Sequence, residues 1–182
     1  SKRFPVEVLE QAGLVIKTQR GDSQDRFYDR FRNRLMFPIF NSAGKVIAFS
    51  GRALEKNDET AKYINSPETP IFRKAENFMG LKQAQKAIYD SGRAVLVEGN
   101  ITIPQAHQHG LEYFIGTCGT AFTETHRDIL IRRFPMVEII SCFDGDKAGQ
   151  DASARFSRLV LGRGNTKVCQ LPMPENKDDP KD

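Results

Sequence analysis

The second half of the chain alternates short apolar runs with helical segments, and this alternation restricts the fold more than any other feature. Four runs have the length and apolar content of strands, at residues 94–98, 113–117, 137–143 and 167–171. Helical segments lie between them, at residues 104–109, 124–134 and 148–161. Strands separated by single helices pair in parallel through right-handed crossovers, and helices cover both faces of such a sheet. The pattern therefore predicts an α/β fold.

The first half has a mixed pattern. Residues 5–13 predict a short helix that Gly13 ends. Two apolar runs, 35–40 and 46–50, flank a stretch with Asn, Ser and Gly, and they predict a β-hairpin. Because Pro38 has no backbone N–H to donate, its strand is expected at a sheet edge or at a bulge.

We therefore expect two lobes. Residues 1–92 form a smaller, basic lobe of mixed α+β structure, which includes a structured polar loop at 62–70 and a helix that starts near Gly80. Residues 93–182 form an α/β lobe with a parallel sheet flanked by helices, so that the chain is α+β overall. The acidic stretch 175–182 ends before its pattern of acidic residues is complete. We therefore expect that this chain is a fragment of a longer protein.

Composition restricts the class of protein. Charged residues make up 27% of the 182 residues, and the net charge of +4 favours an anionic partner. The cysteines lie far apart without zinc-like spacing, and buried, reduced thiols are expected. Histidines are expected at helix ends or on the surface rather than as ligands. The cysteines are Cys118, Cys142 and Cys169, and the histidines are His107, His109 and His126.

The chain also lacks the signals of export. No apolar run approaches the length of a membrane span, and residues 1–5 lack the apolar core of a signal peptide. We therefore expect a cytoplasmic protein in a reducing compartment, with no membrane partner.

A basic stretch runs from Lys17 to Arg34, with six Lys or Arg residues against three Asp residues. If the end of this stretch is extended, Arg30, Arg32 and Arg34 project from one face. Three guanidinium groups in line can bind phosphates. A solvated sheet face explains the same pattern, and the residues alone leave both interpretations open.

Carboxylates follow the predicted strands at the edge where ligands of α/β sheets bind. Glu98 follows the first strand, Asp144 and Asp146 follow the third, and Asp179 lies beyond the fourth. Taken alone, an acidic pair such as Asp144 and Asp146 after a strand is more often a solvated turn or a helix N-cap than a metal site. Carboxylates from several strand ends repel one another unless a cation compensates them, and oxygen ligands suit Mg²⁺, with Mn²⁺ as a substitute.

Several motifs resemble known families. Residues 97–99, 119–123 and 144–149 (Val-Glu-Gly, Gly-Thr-Ala-Phe-Thr and Asp-Gly-Asp-Lys-Ala-Gly) resemble the toprim module of primases, topoisomerases and some nucleases. The upstream stretches 30–39, 49–52, 62–69 and 72–74 resemble the RNA-polymerase core of bacterial DnaG-type primases. The resemblance covers nearly the whole chain in the family's order.

The resemblance implies an activity and its partners. A DnaG-type core synthesises RNA primers on single-stranded DNA by metal-assisted nucleotidyl transfer from NTPs, releasing pyrophosphate, in DNA replication. The implied partners are the template, NTPs, an RNA–DNA primer duplex and, through a region outside this chain, the replicative helicase of the primosome. The implied location is the bacterial cytoplasm, at the replisome or nucleoid. The family's zinc-binding template reader is not part of these residues, so no zinc is expected.

The resemblance also implies roles for individual residues. Glu98, Asp144 and Asp146 match the catalytic, metal-binding carboxylates, and Asp179 matches a later acidic motif that also binds metal. Arg30, Arg32, Lys62 and Lys74 match basic positions that contact nucleotide, template or primer. We add Arg34, Arg52 and Asn65 as neighbours of these positions.

Two departures from the family pattern affect the expected metal site. Thr102 stands where the family has an acidic residue, and Lys181 stands where its later motif has a second Asp, although Asp182 is one residue away. Each lost carboxylate weakens a second metal position. A metal-impaired, nucleic-acid-binding accessory protein is therefore the alternative function, followed by another toprim phosphotransfer enzyme such as a nuclease or topoisomerase. A cleaving topoisomerase also needs a nucleophilic tyrosine, and no tyrosine here suggests that role.

Overall fold

The computed structural model describes residues 4–18, 26–55 and 60–172. The chain divides into two compact units between Arg73 and Lys74. We expected a lobe boundary at residue 92. By packing, the helix at Leu81–Ser91 groups with the second unit, because it contacts two strands of that unit's sheet.

In its described residues, the first unit contains one short helix and two antiparallel sheets. Its elements are α1 (Val6–Gln11), β1 (Val15–Thr18), β2 (Arg26–Asp29), β3 (Arg34–Phe40), β4 (Val46–Ala53) and β5 (Tyr63–Asn65). Strands β1 and β2 pair with each other, and the other sheet has the order β3-β4-β5. The predicted helix and hairpin are confirmed. Strand β3, which contains Pro38, lies at the edge of its sheet as expected.

For this unit one expectation was wrong, and a condition that the sequence had left open is not met. The polar stretch 62–70 is not only a loop, because Tyr63–Asn65 pair with β4 as a third strand. The arginine-rich segment is not continuously extended either. Strand β2 ends at Asp29, β3 begins at Arg34, and Asn33 between them has a φ of 51°. A left-handed residue reverses the local alternation of side chains, so Arg30, Arg32 and Arg34 do not form a row on one strand.

The second unit is built on a parallel sheet with the strand order β7-β6-β8-β9. Its elements are a 3₁₀ helix (Lys74–Glu76), α2 (Leu81–Ser91), β6 (Arg93–Val97), α3 (Thr102–Gln108), β7 (Phe114–Gly116), α4 (Glu124–Arg133), β8 (Glu138–Phe143), α5 (Lys147–Val160) and β9 (Asn165–Gln170). All sheet pairings are parallel, and the α/β prediction is confirmed. Within the described ranges, no helix is long and apolar enough to cross a bilayer.

The core of this unit lies between its sheet and the helices α2, α4 and α5. Strand β8 alternates buried and half-buried residues, with Ile139 and Phe143 in the core. Helix α5 contributes Phe156, whose ring packs edge-on against that of Phe143 with centroids 6.2 Å apart. The packing fixes the end of β8, and with it the position of the residues that follow.

A buried histidine joins α4 to the 3₁₀ helix. The Nε2–H of His126 donates to the carbonyls of Lys74 and Asn77 at 3.0 and 3.1 Å, and its Nδ1 accepts from the Thr123 N–H at 3.2 Å. The Thr123 hydroxyl in turn caps α4 by accepting from the His126 N–H at 3.1 Å. His126 lies at a helix end as expected, but it is fully buried. It therefore fixes the backbone that carries Lys74.

The buried imidazole makes the stability of the fold depend on pH. Burial lowers the pKa of His126 below its usual value of 6.5. The unfolded chain therefore binds more protons than the folded one, and the free energy of unfolding should fall as the pH drops through about 6.5. His126→Gln should remove this dependence and cost about 1–3 kcal/mol at neutral pH. Urea unfolding at several pH values measures both effects, and the exposed His109→Gln serves as the control.

Candidate functional site

The candidate site lies at the carboxyl ends of two neighbouring parallel strands. Strand β6 ends at Val97 and is followed by Glu98, and β8 ends at Phe143 and is followed by Asp144. The register pairs Leu96 with Ser141, so both strands end at the same edge of the sheet. Glu98 and Asp144 are exposed, and Asp146 is half-buried. We call these three residues the acidic edge.

Asp146 connects the acidic edge to helix α5. Its extended backbone precedes the helix, and its Oδ1 accepts a hydrogen bond from the Gly149 N–H at 2.9 Å. The sequence left an N-cap and a metal ligand open as alternatives. The N-cap is present, and it holds the side chain in place through one oxygen. A carboxylate has two oxygens with several lone pairs, so the cap does not exhaust its capacity to accept.

Gly149 allows α5 to approach Asp144 closely. A Cβ at this position would lie 1.9 Å from the carbonyl oxygen of Asp144 and 2.8 Å from its nitrogen. Both atoms are backbone, so no side-chain rotation could relieve the contact. The absence of a side chain at Gly149 is therefore a condition for the observed position of Asp144.

The three carboxylates act on one another electrostatically. Partial burial is the largest cause that raises the pKa of Glu98 above its usual value of 4.5, and the negative charges of Asp144 and Asp146 raise it further. The positive charge of Arg155 and a hydrogen bond from the Asp144 backbone oppose this effect. The negative charges of Asp144 and Asp146 thus act on Glu98 more strongly than the positive charge of Arg155.

Arg155 belongs to this site, although the sequence did not single it out. It lies in the third turn of α5 and shares with Glu98 a pocket of about 290 Å³. The turn that leads into α4 also lines this pocket, including Gly119 and Thr120. Arg155 shares one face of α5 with Ala148 and Ala152, which line the same pocket at helical spacing. That spacing could have indicated Arg155, but only once the start of α5 was known.

Removal of the Arg155 charge should change the titration of Glu98. Because Arg155 lowers the pKa of Glu98, the substitution Arg155→Met should raise that pKa further above 4.5. The carboxyl carbon signal of Glu98, followed by NMR as a function of pH, measures the shift. Arg158→Met, in the last turn of the same helix, is the matched control and should leave the Glu98 titration unchanged.

The donor set of the acidic edge fits a hard divalent cation. In the described part of the chain, no group of three or more His, Cys, Asp or Glu side chains is arranged to hold a metal ion. This does not conflict with Mg²⁺, which keeps several waters and binds through one or two carboxylates. The uncompensated negative charge around Glu98 favours such an ion. Asp179, Lys181 and Asp182 lie outside the described residues.

Thr102, which stands where the primase pattern has an acidic residue, lies within the described residues. Thr102 is the first residue of α3, and its hydroxyl lies close to Gly99, where a Cβ would approach it to 2.7 Å. Asn100 next to it is buried. The polar side chains of Asn100 and Thr102 therefore lie between Glu98 and the first turn of α3.

The predicted nucleic-acid-binding residues of the first unit lie on different elements of that unit. Arg30 and Arg32 are in the connection between β2 and β3, and the guanidinium of Arg32 lies 4.7 Å from the ring centroid of Tyr28. Arg52 and Asn65 lie on the paired strands β4 and β5, where the register places them on the same face. Lys62 is exposed and immediately precedes β5.

Arg34 has a structural contact that the sequence did not reveal. Its Nη1 donates to the carbonyls of Gly51 at 3.2 Å, Ala61 at 2.9 Å and Lys62 at 3.5 Å. It therefore fixes the segment that carries Lys62. Its own role in binding nucleic acid stays a prediction, as do those of the other basic residues. Lys74 lies in the second unit, at the start of the 3₁₀ helix.

The cysteines differ from the expectation of buried thiols. Cys118 is buried, Cys142 is half-buried and Cys169 is exposed. Cys142 on β8 and Cys169 on β9 are register partners, although they are far apart in the sequence. The pKa of the Cys142 thiol is raised to about 11, chiefly by burial and in addition by the neighbouring Cys169 thiol.

Comparison with known proteins agrees with this architecture. Residues 1–85 match the family model of the DNA primase catalytic core, N-terminal domain, and residues 95–182 match the Toprim-like model. A DNA primase of Neisseria meningitidis serogroup A is 43% identical over 96% of this chain, which covers 28% of that protein. The chain thus spans about a quarter of the length of this relative.

Solved structures show the same similarity. The crystal structure of a DNA primase domain from Pseudomonas aeruginosa is 37% identical, with a TM-score of 0.82 over 94% of this chain and 52% of that one. A DnaG primase catalytic domain bound to ssDNA is 36% identical, with a TM-score of 0.81 and the same coverage.

The fold, the acidic edge and the family matches together define the class of this protein. It is a primase-type catalytic core whose second domain is a toprim-like α/β domain. The chain belongs to the DnaG-type primase family, and it corresponds to the N-terminal domain of the catalytic core followed by the toprim-like domain.

Proposed function

We propose that this chain carries the site for RNA primer synthesis on single-stranded DNA, by nucleotidyl transfer from NTPs with release of pyrophosphate, in DNA replication. The observation that carries the proposal is the acidic edge, where Glu98 and Asp144 follow neighbouring parallel strands and the pKa of Glu98 is raised by Asp144 and Asp146. A concentration of carboxylates suits polyanionic substrates only when cations accompany them.

Glu98, Asp144 and Asp146 are the residues that would hold Mg²⁺ or Mn²⁺, and Asp179 is proposed as a further ligand. Such an ion, when bound, supplies positive charge to the reacting phosphate and to the leaving pyrophosphate. The residues around the acidic edge hold these carboxylates in position. The cap at Gly149 orients Asp146, and the close approach of α5 positions Asp144. Partial burial raises the pKa of Glu98, so that this carboxylate accepts a proton more readily than an ordinary one.

The basic residues are proposed to bind the phosphates of nucleotide, template and primer. These are Arg30, Arg32, Arg34, Arg52, Lys62 and Lys74, with Asn65 as a polar neighbour. Contacts of this kind neutralise phosphates and release counterions, so the affinity for single-stranded DNA should fall with rising salt. The DNA-bound structure of a related primase domain supports a nucleic-acid partner. We further propose a cytoplasmic location and, through regions outside this chain, contact with the replicative helicase.

Primer synthesis by the complete natural protein tests the proposal. The reaction contains a single-stranded DNA template, the four NTPs and Mg²⁺, and labelled RNA products are resolved by length. We expect short RNA products that require template and disappear when the metal is chelated. DNA binding without template-dependent RNA synthesis would instead indicate the accessory function suggested by Thr102.

A further inference from the structure

The pairing of β8 with β9 brings two thiols together beside the acidic edge. Cys142 and Cys169 are direct partners in the parallel register. Partners on adjacent parallel strands project to the same face of the sheet, and the Cys169 thiol is near enough to help raise the pKa of the Cys142 thiol. Cys169 is exposed, whereas Cys142 is half-buried.

This geometry permits a covalent bond between the two sulfurs. Neighbouring strands lie about 4.8 Å apart, within the range of about 4.4–6.8 Å between Cα atoms that disulfides span. The strands can therefore be bridged in their present register. A disulfide also brings the two Cβ atoms to about 3.5–4.5 Å, so closing it draws β8 and β9 together.

The thiols are also accessible and close to the acidic edge. Cys169 lines a pocket of about 170 Å³ that Asp144 and Gly145 line as well. Gly145 is in close contact with the segment that follows β9, because a Cβ at this glycine would lie 2.2 Å from the carbonyl oxygen of Pro172. A change in the spacing of β8 and β9 would therefore reach Asp144, which lies two residues after Cys142.

We propose that Cys142 and Cys169 form a modification site at which peroxide closes a disulfide between β8 and β9, displacing Asp144. The thiolate of Cys169 attacks one oxygen of hydrogen peroxide, which breaks the O–O bond, releases hydroxide and leaves a sulfenic acid. The sulfur of Cys142 then attacks the Cys169 sulfur, forming the S–S bond and expelling the sulfenic oxygen as hydroxide. The two hydroxides take up the two thiol protons, so that two thiols and one peroxide yield a disulfide and two waters. The order of attack follows from the exposure of Cys169.

Peptide mapping of the complete natural protein after brief treatment with hydrogen peroxide tests the site. We expect a peptide pair linked through Cys142 and Cys169, with two thiols lost per chain and regained on treatment with dithiothreitol. Cys118 is buried and should stay reduced. In Cys142→Ser, dimedone should trap a sulfenic acid on Cys169, and in Cys169→Ser it should trap none on Cys142. The absence of the linked pair, or an adduct on Cys142, would overturn the proposal.

The effect on the acidic edge rests on the proposed function and is measured separately. Oxidation should lower primer synthesis on the order of tenfold or more, as expected for a small displacement of a reacting group, and reduction should restore it. Cys169→Ser should remain equally active before and after peroxide. A linked pair with unchanged synthesis would refute the displacement of Asp144. If the reduced protein makes no primers, the proposed function fails, while the peptide map still decides the thiol site.

Discussion

Asp144→Asn should reduce primer synthesis by at least about a hundredfold. The amide keeps the shape of the side chain but removes the negative charge and half of the accepting oxygens. Substitution of residues that only support a metal ligand typically costs 10–100-fold, and loss of a proposed ligand should cost at least as much. The same substitution removes one of the charges that raise the pKa of Glu98, so the titration of Glu98 should move downward.

Asp151→Asn is the matched control for this experiment. Asp151 is an exposed residue of α5, and its side chain forms an ion pair with Lys147 at 3.1 Å. Exposed pairs of this kind contribute about 0–1 kcal/mol, so neither synthesis nor folding should change appreciably. Equal losses in both variants would show that the effect is one of general surface charge rather than of the acidic edge.

Gly149→Ala should also abolish most of the activity, although it changes no charged group. In an ordinary helix the exchange of Gly for Ala stabilises by about 1 kcal/mol. Here the added Cβ would lie 1.9 Å from the Asp144 carbonyl oxygen, so α5 or Asp144 must move. Overpacking of this kind costs about 1–3 kcal/mol, and displacement of a reacting group by about 1 Å can cost a hundredfold in rate. We expect a folded but less stable protein with little primer synthesis.

Ser157→Ala provides the comparison, because it introduces the same residue on an exposed part of α5. The Ser157 hydroxyl donates only to the Ser153 carbonyl at 2.9 Å within the helix. Its loss should leave both the melting temperature and the synthesis rate close to those of the unmodified protein. Wild-type activity in Gly149→Ala would mean that the position of Asp144 does not depend on this close approach.

The alternation of apolar and helical segments was sufficient to predict the parallel sheet and its acidic edge. The hydrophobic period and the length of each strand depend on local sequence, so both can be predicted. Once the strands are parallel, Glu98 and Asp144 must lie at the same edge of the sheet, because each follows the carboxyl end of its strand. Thr123 as a cap of α4 was also predictable, because a hydroxyl before a helix has few other roles.

The remaining features depend on contacts between distant residues. Strand β5 was missed because it has only three residues and lies in a stretch that is otherwise polar and rich in proline, so that its strand character depends on pairing with β4. The contact of Arg34 with the carbonyls of residues 61 and 62 spans nearly thirty residues of chain and has no sequence pattern. The same holds for the Cys142–Cys169 pair, which exists only because β9 lies beside β8.

Binding of Mn²⁺ to the complete natural protein tests the central claim most directly, because it asks whether the acidic edge holds a cation at all. Electron paramagnetic resonance detects free Mn²⁺ and needs no substrate. We predict saturable binding to the unmodified protein and to Asp151→Asn, with an affinity at least about tenfold lower in Asp144→Asn. Equal affinity in all three proteins, or no binding at millimolar Mn²⁺, would contradict a metal site at Glu98, Asp144 and Asp146.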